Sequence, residues 1–101
     1  MSLAFESADR LVVRRCLVSG RVQGVYYRAS AARRARAAGI TGHARNLPDG
    51  RVEVLVCGTD SAVGEFIAWL WIGPAAAKVS DVAAEAIELA LEELPQEFRT
   101  A

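Results

Sequence analysis

Residues 11–39 read LVVRRCLVSGRVQGVYYRASAARRARAAG, and this stretch decides the fold. Residues 11–19 are rich in β-branched and apolar types and end at Gly20, the pattern of a strand. From Tyr27 to Ala38 the chain is dominated by Ala and Arg, both good helix formers. Tyr27, Ala31, Ala35 and Ala38 recur at helical spacing and form one apolar stripe, with Arg33, Arg34 and Arg36 turned mostly to water. Gly39 supplies the left-handed position that often ends a helix. The order is therefore strand, two-glycine loop, helix.

Working outward, residues 40–47 and 51–57 flank Pro48-Asp49-Gly50. That turn between two strand-like runs is a hairpin signal, because Gly accepts a positive φ where other residues clash. Val52, Val54 and Val56 alternate with Glu53, Leu55 and Cys57, so the second strand of the hairpin is expected to be buried on both faces. Thr59 or Asp60 caps a second helix running to about Ile72, with Val63, Phe66, Ile67 and Leu70 as its stripe, and Gly73-Pro74 stops it. Local propensity favours helix over residues 82–94, whereas Lys78 to Val82 alone pass as a strand. Glu97-Phe98-Arg99 make at most one short edge strand after Pro95. The order β-α-β-β-α-β predicts an α+β, ferredoxin-like open sandwich, an antiparallel four-stranded sheet covered on one face by two helices.

The chain has 101 residues, 52% hydrophobic and 24% charged, which suits one globular domain with a single core. No apolar run approaches the ~20 residues that span a bilayer. The first ten residues lack the basic start and apolar stretch of a signal peptide, so residues 1–9 are expected to be a disordered leader to a domain at 10–101, and the chain to be cytoplasmic. A monomer is the simplest expectation. Cys16 and Cys57 lie in apolar runs, have no CxxC partner and read as small buried hydrophobes, so no metal site is expected. Net charge is zero, but residues 1–51 carry +7 and residues 52–101 carry −7. An anionic ligand is thus expected on the first half, while the balanced total disfavours non-specific nucleic-acid binding.

The chemistry concentrates in Gly20-Arg21-Val22-Gln23-Gly24-Val25-Tyr26-Tyr27-Arg28. Free N–H groups of a helix's first turn and a glycine-curled backbone make an anion site. Taken alone, the two glycines fit an ordinary tight turn at least as well. Arg28 weighs against that: a cation in the first turn faces the wrong end of the helix dipole, at a cost of roughly 0.3–1 kcal/mol. The placement makes sense if an anion sits between the helix end and the guanidinium, whose fork matches phosphate oxygens. Asn46, before Leu47-Pro48, fits simple turn chemistry unless the fold brings it to that loop.

These residues closely resemble the acylphosphatase signature, in which a G-x-V-Q-G-V loop leads to an aromatic residue and then arginine. Gly39-Ile40-Thr41-Gly42-His43-Ala44-Arg45-Asn46, followed by Asp49-Gly50-Arg51-Val52-Glu53, resembles the family's second signature in the same register. The resemblance covers about residues 11–87. It implies a hydrolase that cleaves acyl phosphates to carboxylate and inorganic phosphate, a small-molecule substrate, and neither nucleic acid, membrane nor cofactor as partner. Main-chain amides of Arg21, Val22, Gln23, Gly24, Val25 and Tyr26 would cradle the phosphate, Arg28 would bind it, and Asn46 would position the attacking water. It also implies a strand at about 78–87, against the local helical propensity there, and a closing strand near the C-terminus; an irregular or short helical link is expected before Pro95.

Three departures stand out. His43 occupies the family's usual tryptophan position and reads as a packing or surface histidine. Tyr27 replaces the commoner phenylalanine. The brief 96–99 tail is short for a closing strand. The alternative function is a non-catalytic anion-binding or regulatory module on the same fold. An acylphosphatase-like domain of a hydrogenase-maturation carbamoyltransferase would continue into paired CxxC motifs that are absent here. An RNA-binding module would show aromatics on residues 51–57, which have none.

Overall fold

The structure is a computed structural model that describes residues 10–101; the leader expected at 1–9 lies outside them. Its elements are β1 (Leu11–Arg21), α1 (Tyr27–Ala37), β2 (Thr41–Asn46), β3 (Val52–Thr59), α2 (Asp60–Leu70), β4 (Lys78–Ala86), a 3-10 turn (Leu91–Glu93) and β5 (Phe98–Thr100). The sheet order is β4-β1-β3-β2-β5. The β1–β3, β1–β4 and β2–β3 pairs are antiparallel, and they make the expected four-stranded arrangement. To it is added a fifth strand, β5, parallel to β2 with Gly42 opposite Phe98 and Ala44 opposite Thr100, so the sheet is mixed.

Side-chain alternation sorts the sheet's two faces. Cys16 and Val18 of β1, Ala44 of β2 and Val54 and Val56 of β3 are buried in the core with Ala31, Ala35, Val63, Phe66 and Leu70 of the helices. β3 is buried along nearly its whole length, as its sequence predicts. Both cysteines are free and buried. Thr59 caps α2, its hydroxyl accepting from the Ala62 amide at 3.3 Å. The Tyr27 hydroxyl donates to the Leu70 carbonyl at 2.6 Å and ties the helices together, while its ring stacks on Trp69. Burial pushes the Tyr27 hydroxyl well above its ordinary pKa, and the neighbouring Cys16 adds to the rise.

Two local expectations need correction, the apolar stripe of the first helix and the helix that propensity alone favours over residues 82–94. On α1 the buried stripe is Tyr27, Ala31, Ala32 and Ala35, and Ala38 is exposed because the helix ends at Ala37 and Ala38 is its cap. Arg33, Arg34 and Arg36 are exposed, as expected, and two of them also find partners. The Arg34 guanidinium lies 5.4 Å from the Trp69 ring centroid, and Arg36 forks onto the Phe98 carbonyl through Nε and Nη2 at 3.2 and 2.8 Å. Residues 82–86 are strand despite their helical propensity, because pairing with β1 from Val18–Val82 to Arg14–Ala86 satisfies their backbone. The link that follows holds a short 3-10 turn before Pro95, as expected.

Candidate active site

Strand β1 delivers the chain to the site through a bulge between Ser19 and Gly20. Gly20 has φ 117°, and a Cβ there would stand 2.2 Å from the Lys78 carbonyl oxygen, so no other residue fits. Arg21 closes the strand opposite Lys78. Val22 and Val25 are buried and pin the loop to the core, while between and after them Gly24 (φ 74°) and Tyr26 (φ 62°) turn the backbone left-handed. A bulky residue at positive φ is unusual, and Tyr26 holds it with its side chain 83% exposed. Tyr26 is the N-cap of α1 and makes no side-chain cap; the first turn carries no acid either. The first turn thus offers neither a side-chain cap nor an acid to offset the positive end of this helix.

A cavity of about 400 Å³ opens on that helix end, lined by Val22, Gly24, Tyr26, Tyr27, Arg28, Ala29, Asn46 and Thr100. The residues expected from the two sequence segments therefore meet, although Arg28 and Asn46 come from different elements. The loop residues divide their tasks: Val22, Gly24 and Tyr26 line the cavity, Arg21 belongs to the β1–β4 ladder, Val25 anchors in the core, and Gln23 sends its side chain elsewhere. Sequence reasoning missed Ala29 and Thr100 as wall residues. No sequence signal marks Thr100; in the structure the near-complete burial of Phe98 fixes β5 beside α1. A larger hollow of about 570 Å³ between the helices, lined by residues such as Arg33, Glu65 and Trp69, contains none of the expected site residues.

Arg28 is half-buried, and its Nη1 donates to the Ala101 carbonyl at 2.6 Å. Asn46 ends β2, opposite Val52 of β3. Its neighbour Arg45 points to the other face of the strand, where Arg45 Nε and Arg15 Nε donate to the carboxylate of Glu53 at 2.7 and 2.8 Å. His43 Nε2 lies 3.0 Å from the same carboxylate. Burial alone would raise the Glu53 carboxyl, but hydrogen bonds from His43, Arg15 and Arg45 outweigh it and hold it down at about 2. This strap across β1, β3 and β2 fixes the strand that carries Asn46. His43 thereby lies on the face of β2 opposite Asn46, since alternation puts residues 43 and 46 on opposite faces. Cys16 is fully buried, and burial pushes its thiol up to about 11.

Residues 14–100 match the family model for acylphosphatase. The chain belongs to the acylphosphatase family. An acylphosphatase of Chromohalobacter salexigens is 57% identical over 77 residues, which make up 73% of this chain and 86% of that one. The structure of an acylphosphatase from Coxiella burnetii superposes with a TM-score of 0.84 at 36% identity, covering 90% of this chain and 93% of its own. The acylphosphatase from Bacillus subtilis gives a TM-score of 0.84 at 30% identity, over 91% and 99% of the two chains. The ferredoxin-like arrangement expected from element order is the acylphosphatase fold of these structures.

Proposed function

We propose that this acylphosphatase-family chain hydrolyses acyl phosphates to a carboxylate and inorganic phosphate. One observation carries the proposal: Arg28, Asn46 and an uncapped helix N-terminus face one cavity. The phosphate would sit against the main-chain amides of residues 21–26 and the first turn of α1, with the Arg28 fork on its oxygens. Asn46 would hold a water through its carboxamide, aimed at phosphorus. The water oxygen bonds to phosphorus, the bond from phosphorus to the acyl oxygen breaks, and the carboxylate leaves with that electron pair. The water's proton passes to a phosphate oxygen of the substrate, since His43 is on the far face of β2.

Phosphoryl transfer through a loose transition state asks a protein mainly for positioning and charge stabilisation. A carboxylate is a good leaving group, so a guanidinium, an amide cradle and one carboxamide meet the demand without a cofactor. Among the described residues no helix is long and apolar enough to cross a membrane. We place the domain at residues 10–101, as a cytoplasmic monomer acting on a small molecule, with no nucleic-acid or membrane partner.

The test is phosphate release from acetyl phosphate and benzoyl phosphate by the parent, Arg28→Ala and Asn46→Ala, with inorganic phosphate as competitive inhibitor. The parent should turn over. Arg28→Ala should lose both turnover and phosphate affinity, and Asn46→Ala turnover alone. A parent that binds phosphate but releases none from either substrate would instead be a non-catalytic anion-binding module.

A further inference from the structure

Gln23 sits in the middle of the loop expected to cradle phosphate, yet its side chain leaves the cavity. Nε2 donates to the carbonyl of Leu47 at 2.9 Å and to that of Arg51 at 3.0 Å. Those two residues are the shoulders of the β2–β3 turn and are bonded to each other, with the Leu47 amide donating to the Arg51 carbonyl at 2.8 Å. Leu47 directly follows Asn46, and Arg51 directly precedes Val52, the cross-strand partner of Asn46. One carboxamide therefore grips the hairpin on both sides of the pair that contains Asn46.

The chemistry of the grip is narrow. Two carbonyl oxygens approach one nitrogen, so that atom must supply two N–H groups, as a primary amide does. A carboxylate would oppose both carbonyls, an apolar side chain would leave them short of a partner, and asparagine lacks one methylene of reach. The loop and the hairpin are remote in sequence, and the aim of the water-holding carboxamide relative to bound phosphate depends on their separation. An error of ~1 Å in such an arrangement costs up to about 100-fold in rate.

We propose that the Gln23 side chain is a positioning residue, a strut from the phosphate loop to the β2–β3 hairpin that sets Asn46 at its working distance from the phosphate. The strut rests on the acyl phosphate hydrolysis proposed above. It acts on kcat through Asn46 and leaves the anion cradle, built from main-chain amides and Arg28, as it was.

The experiment is a double-mutant cycle between Gln23→Met and Asn46→Ala, measured with benzoyl phosphate and with inorganic phosphate as competitive inhibitor. Gln23→Met is expected to lower kcat about 10- to 100-fold. Its inhibition constant for phosphate should stay within about twofold, since no cavity group has changed. In the Asn46→Ala background Gln23→Met should have little further effect on kcat. Gln23→Asn, which keeps the amide but shortens it, should reproduce the loss of kcat, and it substitutes for Gln23→Met if that variant does not fold. An unchanged kcat in a folded variant, a full further loss in the Asn46→Ala background, or a fall in phosphate affinity matching the fall in kcat would each overturn the strut. A parent without turnover in the same assay would sink the hydrolase proposal instead.

Discussion

The Arg28 guanidinium is held by the carbonyl oxygen of Ala101, 2.6 Å from Nη1. Arg28 lies in the first turn of α1, while Arg36, two turns on, forks onto the Phe98 carbonyl. The helix thus clasps β5 at both ends, and the strand in return limits where the Arg28 fork can point. Ending the chain after Arg99 removes Thr100 from the cavity wall and the acceptor from Arg28. The expected result is a phosphate inhibition constant weakened about three- to tenfold, as for loss of one solvent-accessible hydrogen bond with a net value of about 0.5–1.5 kcal/mol. Isothermal titration with inorganic phosphate reads it directly.

Phe98 carries the packing half of the same clasp. Its ring is buried and meets Phe66 edge-on with centroids 6.1 Å apart. Phe98→Ala should therefore destabilise the fold by about 3–5 kcal/mol, measured by urea unfolding, an effect of cavity formation. Activity at low temperature should fall as well, since β5 supplies a wall of the site.

Acidification should act through Glu53. Its folded carboxyl is held at about 2, below its ordinary 4.5, so its contribution is present above about pH 4.5 and is lost as pH falls toward 2. Replacing it with glutamine should flatten the stability profile across that window. At pH 7 Glu53→Gln should lower stability by about 1–3 kcal/mol, a figure kept modest because the arginine partners are partly in water. A parent and variant with parallel profiles between pH 5 and pH 2 (about the window set by that shift) would show that the strap adds nothing.

Tyr26 should behave in the opposite direction. A bulky residue in the left-handed region costs about 1–2 kcal/mol, of which glycine's extra chain entropy returns part. Tyr26→Gly is therefore expected to raise stability by about 0.5–1 kcal/mol, visible as a higher midpoint in thermal unfolding. A lower midpoint would mean that the exposed ring makes stabilising contacts on the rim.

The sequence was legible where local chemistry and global pairing agree. The Val-rich run before Gly20, the Ala and Arg run before Gly39, the Pro48-Asp49-Gly50 turn and the Thr59 cap each name their element from within a few residues. Val82-Ala83-Ala84-Glu85-Ala86 misled because Ala and Glu prefer helix, a weak preference that pairing with β1 overrides. Arg28 stood out by its position at the wrong end of a helix dipole. Asn46 did not stand out, since any asparagine before a turn looks alike until the fold shows what lies opposite. The roles of Thr100, Arg36 and the Gln23 side chain rest on contacts between segments remote in sequence, which no local pattern announces.

The parallel docking of β5 on β2 joins segments separated by most of the described chain. Closing so long a loop costs more chain entropy than closing the β2–β3 hairpin. Fraying of this short parallel seam would open one wall of the cavity while the hairpin that carries Asn46 stays paired.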